Sequence, residues 1–201
     1  MAARDPFFAG NVDALIAAQP KDLEASEIEV RLGATWFDKK YIEQFMYETF
    51  ETPRYLRGQI EISYVPYTAE WQVSRKSMVR YNDVAAFTTY GTDRASAYRL
   101  LEDALNLRDI RIYDTIEDAD GRERRVLNAK ETTLAAQKQQ LIRDAFKDWI
   151  WKDPERRETL VRQYNEEMNS TRPREYDGSH IVFSGMNPEI TLREHQRNAI
   201  A

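Results

Sequence analysis

The feature that most restricts the fold is a long helical repeat of apolar residues in the second half of the chain. Its members recur at the spacing of one helix face, and they are Leu134, Leu141, Ile142, Ala145, Phe146, Trp149 and Ile150. Asn128 and Glu131 precede it with the spacing of a capping box, although Ser or Thr is the usual cap. Asp153-Pro154 ends this helix and begins another, because Asp caps helices and Pro suits their first position.

A second helix is therefore expected after Pro154, with an apolar stripe of Leu160, Val161, Tyr164 and Met168. The two segments predict a helical hairpin or a bent helix whose tryptophan-rich end packs on a β-rich part of the chain. An earlier helix is expected after Asp38, which is placed to cap it, and Thr52-Pro53 ends it. Its stripe is largely aromatic and is expected in the core: Tyr41, Ile42, Phe45, Met46 and Phe50.

Two antiparallel hairpins are expected between these helices. The run Gln59–Tyr64 alternates between apolar and polar residues, and Trp71–Val73 returns after a turn. The second hairpin joins an alternating run that starts at Ile110 to Arg124–Leu127, because Asp120-Gly121 tolerates the positive φ of a tight turn. A helix capped by Asp93 or Thr92 separates the two hairpins, and its apolar residues are Ala95, Tyr98, Leu101 and Leu105.

The fold class that these patterns predict is α+β, with a small antiparallel sheet, helices and a helical connector. Ile28, Val30 and Leu32 alternate before Gly33 breaks the run, and Ile181–Phe183 has the composition of a short strand. The expected organisation is a leader or linker at 1–25, an α+β accessory domain at 26–130, the helical connector at 131–169, and a C-terminal lead-in to a further domain at 170–201.

The composition excludes several classes of function. The 201 residues contain no cysteine, which excludes a disulfide framework, a thiolate metal site and a cysteine nucleophile. His180 and His195 are the two histidines, and their spacing suggests neither a zinc site nor a catalytic triad. No apolar run approaches the length of a membrane span, and no signal peptide is recognisable, so a cytoplasmic location is expected. The net charge of -5 means that any DNA contact needs a local basic patch.

One candidate patch is formed by Arg75, Lys76 and Arg80. Basic residues among aromatic ones can hold a phosphate backbone or stack a base. The alternative is a solvated edge strand that its charges protect from aggregation. Arg172 and Arg174, in a loop, are further candidates for DNA contact, and the aromatic residues near the first cluster are Trp71, Tyr81 and Phe87.

The last ten residues, Leu192–Ala201, carry a different signal. Arg193, His195 and Gln196 suit the first turns of an amphipathic helix, for which Thr191 is a possible cap. A glutamine amide places a donor beside an acceptor, which matches one edge of adenine. The alternative is that Gln196 is an ordinary solvated helix residue. The phosphate-binding loop G-x-x-x-x-G-K-[ST] does not occur in this sequence.

Three blocks carry a resemblance to a known family: ASEIEVRLGATWF at Ala25–Phe37, YGTDRASAYRLLEDALNLRDIRIYD at Tyr90–Asp114 and STRPREYDGSHIVFSGMNPEITLREHQRNAIA at Ser170–Ala201. The chain resembles the region just upstream of the motor in large DNA methyltransferase–helicase proteins of bacterial mobile elements and phages. Relatives of these proteins include phage proteins that protect incoming DNA against restriction. In that family an adenine methyltransferase domain lies N-terminal, and a Swi/Snf-type superfamily-two motor with a RecA-like fold lies C-terminal.

The resemblance implies that Gln196 contacts adenine, with Arg193 and His195 beside it, and that ATP and Mg²⁺ serve the motor of the parent protein. It also implies duplex DNA and the adjoining motor and methyltransferase domains as partners. The lysine of the phosphate loop and the metal-binding acids have no counterpart in this chain, and Asn187-Pro188-Glu189 lacks the second proline and the aromatic residue of a methyltransferase motif. We therefore expect no ATP hydrolysis or methyl transfer by this chain alone, and no cofactor of its own.

Two functions follow from these expectations. The first is an accessory region of a DNA translocase that contacts DNA or positions domains and contributes the adenine-reading segment. The alternative is a docking module that links the methyltransferase and motor domains without touching DNA. Aromatic residues, which often anchor protein interfaces, make up 11% of the chain and favour the alternative. An independent hydrolase or nuclease is disfavoured, because the carboxylates form no recognisable metal-binding pattern.

Overall fold

A computed structural model describes residues 6–80, 82–118, 121–171, 176–187 and 189–201, and only the backbone of residues 6–9. The chain divides into two compact units, one formed by Asp22–Met168 and the other by Met1–Lys21 together with Asn169–Ala201. Helices and antiparallel strands are both present, so the predicted α+β class is confirmed. The helices are α1 (Pro6–Ala18), α2 (Lys39–Thr49), α3 (Ala97–Leu105), α4 (Ala129–Lys152), α5 (Pro154–Glu167) and α6 (Glu194–Asn198).

The strands of the Asp22–Met168 unit form two separate two-stranded antiparallel sheets. In the first, β1 (Ile62–Val65) pairs with β2 (Glu70–Val73), and in the second, β3 (Tyr113–Glu117) pairs with β4 (Glu123–Leu127). Both predicted hairpins are confirmed. A short 3-10 turn at Lys76–Met78 and a π-helix at Ala85–Thr89 lie between β2 and α3.

Aromatic side chains of three helices form the centre of this unit. The ring of Phe45 on α2 meets Phe146 on α4 edge to face at 5.1 Å, and the ring of Phe50 meets Tyr98 on α3 at 5.3 Å. Trp149 packs on Phe45 at 5.7 Å, and its indole N–H donates to the carboxylate of Glu48 on α2. The tryptophan-rich end of α4 therefore packs against helix α2, and the prediction that it packs on the β-rich part is wrong.

The buried stripe of α4 differs in part from the predicted one. Leu134 and Leu141 are 41% and 43% exposed, whereas the buried residues of the helix are Ala135, Gln139, Ile142, Phe146 and Ile150. Gln139 is buried because its amide donates to the backbone carbonyl of Arg108 at 2.8 Å, which satisfies a polar group in the interior. The core face of α4 therefore includes a glutamine and leaves out the two leucines.

Most of the predicted helix caps are confirmed. The carboxylates of Asp38 and Asp153 accept backbone N–H groups at the starts of α2 and α5, and the amide oxygen of Asn128 does so at the start of α4. The expected cap of α3 at Asp93 or Thr92 is wrong. Ser96 caps α3 instead. The Thr92 hydroxyl accepts the N–H of Ala95, so it closes the turn before the helix.

The alternating segment Ile28, Val30 and Leu32 is buried but lies outside any strand. Its end is fixed by Gly33, whose φ of +86° belongs to the left-handed region that glycine tolerates. A Cβ at Gly33 would lie 2.1 Å from the carbonyl oxygen of Leu105. The alternation therefore marks a buried irregular segment whose end, at Gly33, packs closely against the end of α3.

The unit formed by the two chain ends contains α1 and α6. Residues 181–183, expected as a short strand, have irregular backbone, and Val182 is 88% exposed. Leu15 and Ile16 of α1 and Ile200 near α6 are also exposed. Among the described residues, no helix is both long and apolar enough to cross a membrane.

Candidate functional site

The residues predicted to contact adenine lie together on the exposed helix α6. Arg193 occupies the N-cap position that was predicted for Thr191, and Gln196 lies in the first turn. The Gln196 Oε1 accepts a hydrogen bond from the Arg193 backbone N–H at 2.9 Å. An arginine side chain has no hydrogen-bond acceptor, so Arg193 cannot accept a backbone N–H of the helix in return, and only the bond to Gln196 is made. A contact of Gln196 with adenine through both its amide oxygen and its amide nitrogen therefore requires the hydrogen bond to Arg193 to break. The neighbouring side chain of His195 is exposed.

A cavity of about 390 Å³ lies next to α6, and its lining is Asp177, Ser179, Leu192, Glu194, Arg197 and Asn198. The Asp177 carboxylate accepts the backbone N–H and the hydroxyl of Ser179, and these hydrogen bonds hold the pKa of Asp177 below its usual value. The described part of this lining has two carboxylates and one guanidinium, a net negative charge that disfavours a phosphate group beside them. None of the three residues predicted to contact adenine lines this cavity.

The basic cluster predicted at Arg75, Lys76 and Arg80 does not present three free charges. Lys76 forms an ion pair with the carboxylate of Glu102 on α3. Arg75, with a left-handed φ of 47°, begins the 3-10 turn, and both it and Arg80 are exposed. Neither arginine forms an ion pair with a residue that the structure describes. Tyr81, one of the aromatic residues near this cluster, and the separate candidates Arg172 and Arg174 lie outside the described residues.

A second cavity, of about 260 Å³, lies beside this turn, along β2. Its charged groups are paired with one another: Lys76 with Glu102, and Arg108 with Glu70. Trp71, which also lines it, is 5% exposed and therefore offers little aromatic surface for stacking a base. Among its described lining residues the charges balance, so these residues provide no excess of positive charge for a phosphate.

The first hairpin has side chains bound along both of its outer edges. At the β1 edge, the N–H of Ile62 donates to the Glu43 carboxylate at 2.9 Å, and its carbonyl accepts from the Lys39 ammonium at 3.0 Å. The Tyr47 hydroxyl donates to the carbonyl of Ile60 at 2.7 Å. These side chains belong to α2, which therefore covers one edge of the hairpin.

Helix α3 covers the other edge. The Asn106 side chain, at the C-cap of α3, accepts the N–H of Trp71 and donates to the Trp71 carbonyl, both at 2.8 Å. The Glu102 carboxylate accepts the N–H of Val73 at 2.8 Å. An edge strand with unpaired backbone groups is a site for pairing with another chain. Bound side chains at Ile62 on one edge and at Trp71 and Val73 on the other therefore hinder such pairing along the β1–β2 hairpin.

The second hairpin, β3–β4, is called the ribbon below, and it is exposed on both faces. Tyr113, Ile116 and Leu127 are large apolar side chains that are exposed on it. The guanidinium of Arg125 lies over the Tyr113 ring at 4.8 Å from the ring centroid, while Arg124 is exposed on the opposite face. Exposed apolar residues surrounded by charge are typical of interaction surfaces.

The base of the ribbon is fixed by Asp114. One carboxylate oxygen accepts from the Arg94 guanidinium at 2.8 Å, and the other accepts from the Asn128 amide at 2.7 Å. Arg94 also donates to the carbonyl of Tyr113 at 2.9 Å. The hydrogen bonds from Arg94 and Asn128 hold the pKa of Asp114 below its usual value. Since Asn128 also caps α4, Asp114 connects the ribbon to the start of the longest described helix.

The outer edges of the ribbon differ from those of the first hairpin. In an antiparallel pair, successive residues alternately direct their backbone N–H and C=O groups toward the partner strand and away from it. Because the Asn128 N–H donates to the Ile112 carbonyl, the even-numbered residues Asp114 and Ile116 direct these groups toward β4. The backbone groups of odd-numbered residues point outward. Within the described part of the chain, these groups on β4 have no hydrogen-bond partner, and they belong to Glu123, Arg125 and Leu127.

The sequence predicted this hairpin but did not indicate that it is exposed on both faces. Alternation and the Asp-Gly turn indicate a hairpin, but they do not show which face is covered. The available signal was the charge pattern Arg122-Glu123-Arg124-Arg125 beside Val126-Leu127. Strand residues with charges on both faces have no face to bury, and this predicts a projecting ribbon.

The two clearest pKa shifts within the helical core reflect packing. Burial raises the pKa of the Tyr98 hydroxyl to about 12, and this hydroxyl shares a 2.7 Å hydrogen bond with Thr52. Burial also raises the pKa of Asp103 on α3. Among the described residues, no group of histidine and acidic side chains is arranged to hold a metal ion.

Together these features define an α+β protein with one protected hairpin and one projecting ribbon. Residues 31–170 match the model of a family described as a domain of unknown function, DUF8437. Because the match spans more than half of the chain, the chain belongs to this family. It includes both hairpins and ends before α6 and Gln196. No curated protein and no solved structure matches the chain.

Proposed function

We propose that this chain is an accessory region of a larger DNA-translocating protein and that it positions neighbouring domains by binding them through the ribbon. The observation that carries this proposal is the projection of β3–β4 with Tyr113, Ile116 and Leu127 exposed. The chain resembles the region between the methyltransferase and the motor, so these two domains are its proposed neighbours. In this proposal the parent is an ATP- and Mg²⁺-dependent helicase or translocase fused to a methyltransferase, it acts in the cytoplasm, and the chain itself performs no chemistry.

Protein contact is favoured over DNA contact at the ribbon because of charge. Between Tyr113 and Leu127 the sequence has three arginines and five carboxylic acids. Binding to the phosphate backbone depends on cations that replace the counterions of DNA, and a surface with excess negative charge repels it. Apolar and aromatic side chains among mixed charges are instead the composition of protein interfaces. The net charge of -5 for the whole chain acts in the same direction.

DNA contact is the second candidate, and it is favoured by Arg75 and Arg80, which form no ion pair with a described residue. Both side chains are exposed, whereas Lys76 is held by Glu102. Two phosphate contacts give weak binding that falls as salt rises. We also propose that, in the complete motor, Gln196 contacts the adenine of ATP, with Arg193 and His195 beside it.

The test compares the two surfaces in the parent protein. Tyr113→Ser and Leu127→Ser together are expected to weaken binding between this chain and the purified adjoining domain by more than tenfold, as loss of apolar anchors does. Arg75→Ala with Arg80→Ala serves as the matched pair and is expected to leave that binding unchanged. The opposite pattern, with domain binding unchanged by the serine pair and duplex binding lost by the alanine pair, would establish DNA contact as the function instead.

The proposal that this chain belongs to a DNA motor is tested by the sequence of the parent gene. A Gly-rich loop ending in Gly-Lys-Thr or Gly-Lys-Ser, about 30 residues or fewer after Ala201, is the expected result for a superfamily-two motor. A reading frame that continues without such a loop would remove the motor from the proposal. The docking role of the ribbon would then have to be tested against a different neighbour.

A further inference from the structure

We infer that the outer edge of β4 binds an extended, acidic segment of a partner protein, which joins the ribbon as a third strand. This inference rests on the proposed function, because it specifies how the ribbon binds its neighbour. Strand addition uses main-chain hydrogen bonds for affinity and alternate side chains for specificity. The site consists of Glu123, Arg125 and Leu127 with the side chains around them.

The backbone of β4 provides the first argument. Its outward N–H and C=O groups, at Glu123, Arg125 and Leu127, are unpaired within the described part of the chain. The β3 edge is less open, because the carbonyl of Tyr113 accepts from Arg94. A row of alternating donors and acceptors at strand spacing is matched by another extended backbone.

In the first hairpin, helix side chains occupy outward backbone groups on both edges. Asn106 occupies both the N–H and the carbonyl of Trp71, and Glu43 and Lys39 occupy those of Ile62. Helix side chains thus take the place of neighbouring strands at β1 and β2. The β4 edge has no such covering among the described residues.

The side chains of β4 indicate the chemistry of the partner. The ribbon as a whole has more acids than arginines, but the strand β4 itself has two arginines and one carboxylate. Across the ladder, Arg124 lies opposite Ile116 rather than opposite a carboxylate. Arg125 lies opposite Thr115 and over the Tyr113 ring. A strand added beside β4 places a side chain next to Arg124, and an opposite charge there is stabilising. The partner strand that fits best therefore alternates acidic residues, on the face of Arg124, with apolar residues, on the face of Leu127.

A second copy of this chain fits the edge less well. In the antiparallel register with full overlap of two β4 strands, the pairing is centred on Arg125 of each copy. Like charges directly opposite each other in a sheet are destabilising. The arginines of β4 therefore oppose self-pairing and favour an acidic partner.

The experiment uses the whole chain and a synthetic peptide of alternating valine and glutamate, matched in length to β4. Amide hydrogen exchange and NMR shifts are followed during titration. We expect the N–H groups of Glu123, Arg125 and Leu127 to become protected, with smaller changes at Arg124 and Val126, which already bond to β3. A peptide of alternating valine and lysine is the charge control, and we expect it to bind at least about tenfold more weakly.

A pair of variants isolates the backbone contribution. Arg125→Ala removes the side chain, and Arg125→Pro removes the outward N–H as well. Since the ladder bonds of β4 belong to Arg124 and Val126, proline at this position spares them. We expect the proline variant to bind the peptide about two- to tenfold more weakly than the alanine variant, the loss typical of one hydrogen bond. Thr115→Pro, on the β3 edge, is expected to have the affinity of the unmodified chain.

The outcomes separate this inference from the proposed function. Protection confined to the outward amides of β4, with the proline effect, supports strand addition. Unchanged exchange at these amides in saturating peptide, or equal affinities of the proline and alanine variants, overturns it. If strand addition is overturned while Tyr113→Ser with Leu127→Ser still weakens domain binding, the ribbon docks through its faces and the proposed function stands.

Discussion

The side-chain amide of Asn106 makes the same pair of hydrogen bonds to Trp71 that a neighbouring strand makes to an edge residue. Asn106→Leu leaves both backbone groups of Trp71 without these partners. We expect a loss of about 1–3 kcal/mol in the free energy of unfolding, measured by chemical denaturation. Gln137→Leu, at an exposed amide on α4, is the matched control and should change the stability little. Equal stabilities of the two variants would show that water replaces the amide.

Two glycines of similar backbone conformation allow strain to be separated from steric overlap. Gly33 and Gly58 have φ of +86° and +80°, but only Gly33 has a backbone atom within contact distance of a Cβ, at Leu105. Gly58→Ala is expected to cost about 1–2 kcal/mol from the positive φ alone. Gly33→Ala adds the overlap and is expected to cost at least about 3 kcal/mol. Thermal unfolding of both variants checks the order, and the reverse order would contradict the close packing of this segment on α3.

At the scale of elements, the joint between α4 and α5 depends on Arg156. Its guanidinium donates to the carbonyls of Ile150 and Trp149 at the end of α4 and lies 3.6 Å from the centroid of the Trp149 ring. Arg156→Met removes these bonds and is expected to cost about 2–4 kcal/mol, because carbonyls lose charged donors and a desolvated cation–π contact is lost. Arg157→Met, at the exposed neighbour, should stay within about 0.5 kcal/mol of the parent. Urea denaturation distinguishes the two.

The ribbon should loosen in acid because Asp114 anchors it. The pKa of Asp114 is lower in the folded chain than its ordinary value, so the stabilisation is complete above the unfolded pKa of about 3.9 and is lost as the pH falls through the folded pKa. We expect amide protection across Tyr113–Leu127 to fall below about pH 4, ahead of the helices. Asp114→Asn should abolish this dependence. A ribbon that melts at the same pH in both proteins would assign the acid sensitivity to another group.

At the scale of the whole molecule, the buried apolar cluster of the described residues lies between Ile28 and Leu160. The Asp22–Met168 unit therefore contains a complete core, and we expect a fragment with these bounds to unfold cooperatively by itself. Its midpoint of thermal unfolding should lie within about 4 °C of that of the whole chain, a shift equivalent to less than about 1–2 kcal/mol. Circular dichroism measures this, and a fragment that melts gradually would show that the core needs the chain ends.

Local chemistry allowed much of this fold to be predicted, and tertiary contacts explain the rest. The caps at Asp38, Asn128 and Asp153 act within a few residues, so sequence spacing was sufficient to find them. The burial of Gln139 depends on the carbonyl of Arg108, which lies 31 positions away, and no local pattern indicates such a bond. The ribbon was likewise predictable only as far as its local sequence pattern reaches. The β3–β4 hairpin was predictable from its turn, but its open edge became visible only by contrast with the covered edge of β2.

The covered edge of β2 also has a consequence for the order of folding. The bonds from Asn106 to Trp71 join residues 35 positions apart, whereas the ribbon is closed by its own turn. Contacts at long sequence separation form late, because the chain must first lose the entropy of closing the loop. We expect Asn106→Ala to speed unfolding and to leave the folding rate almost unchanged, with a φ-value near zero. The β2 edge, which α3 covers in the native state, is then still open to pairing with another chain until late in folding.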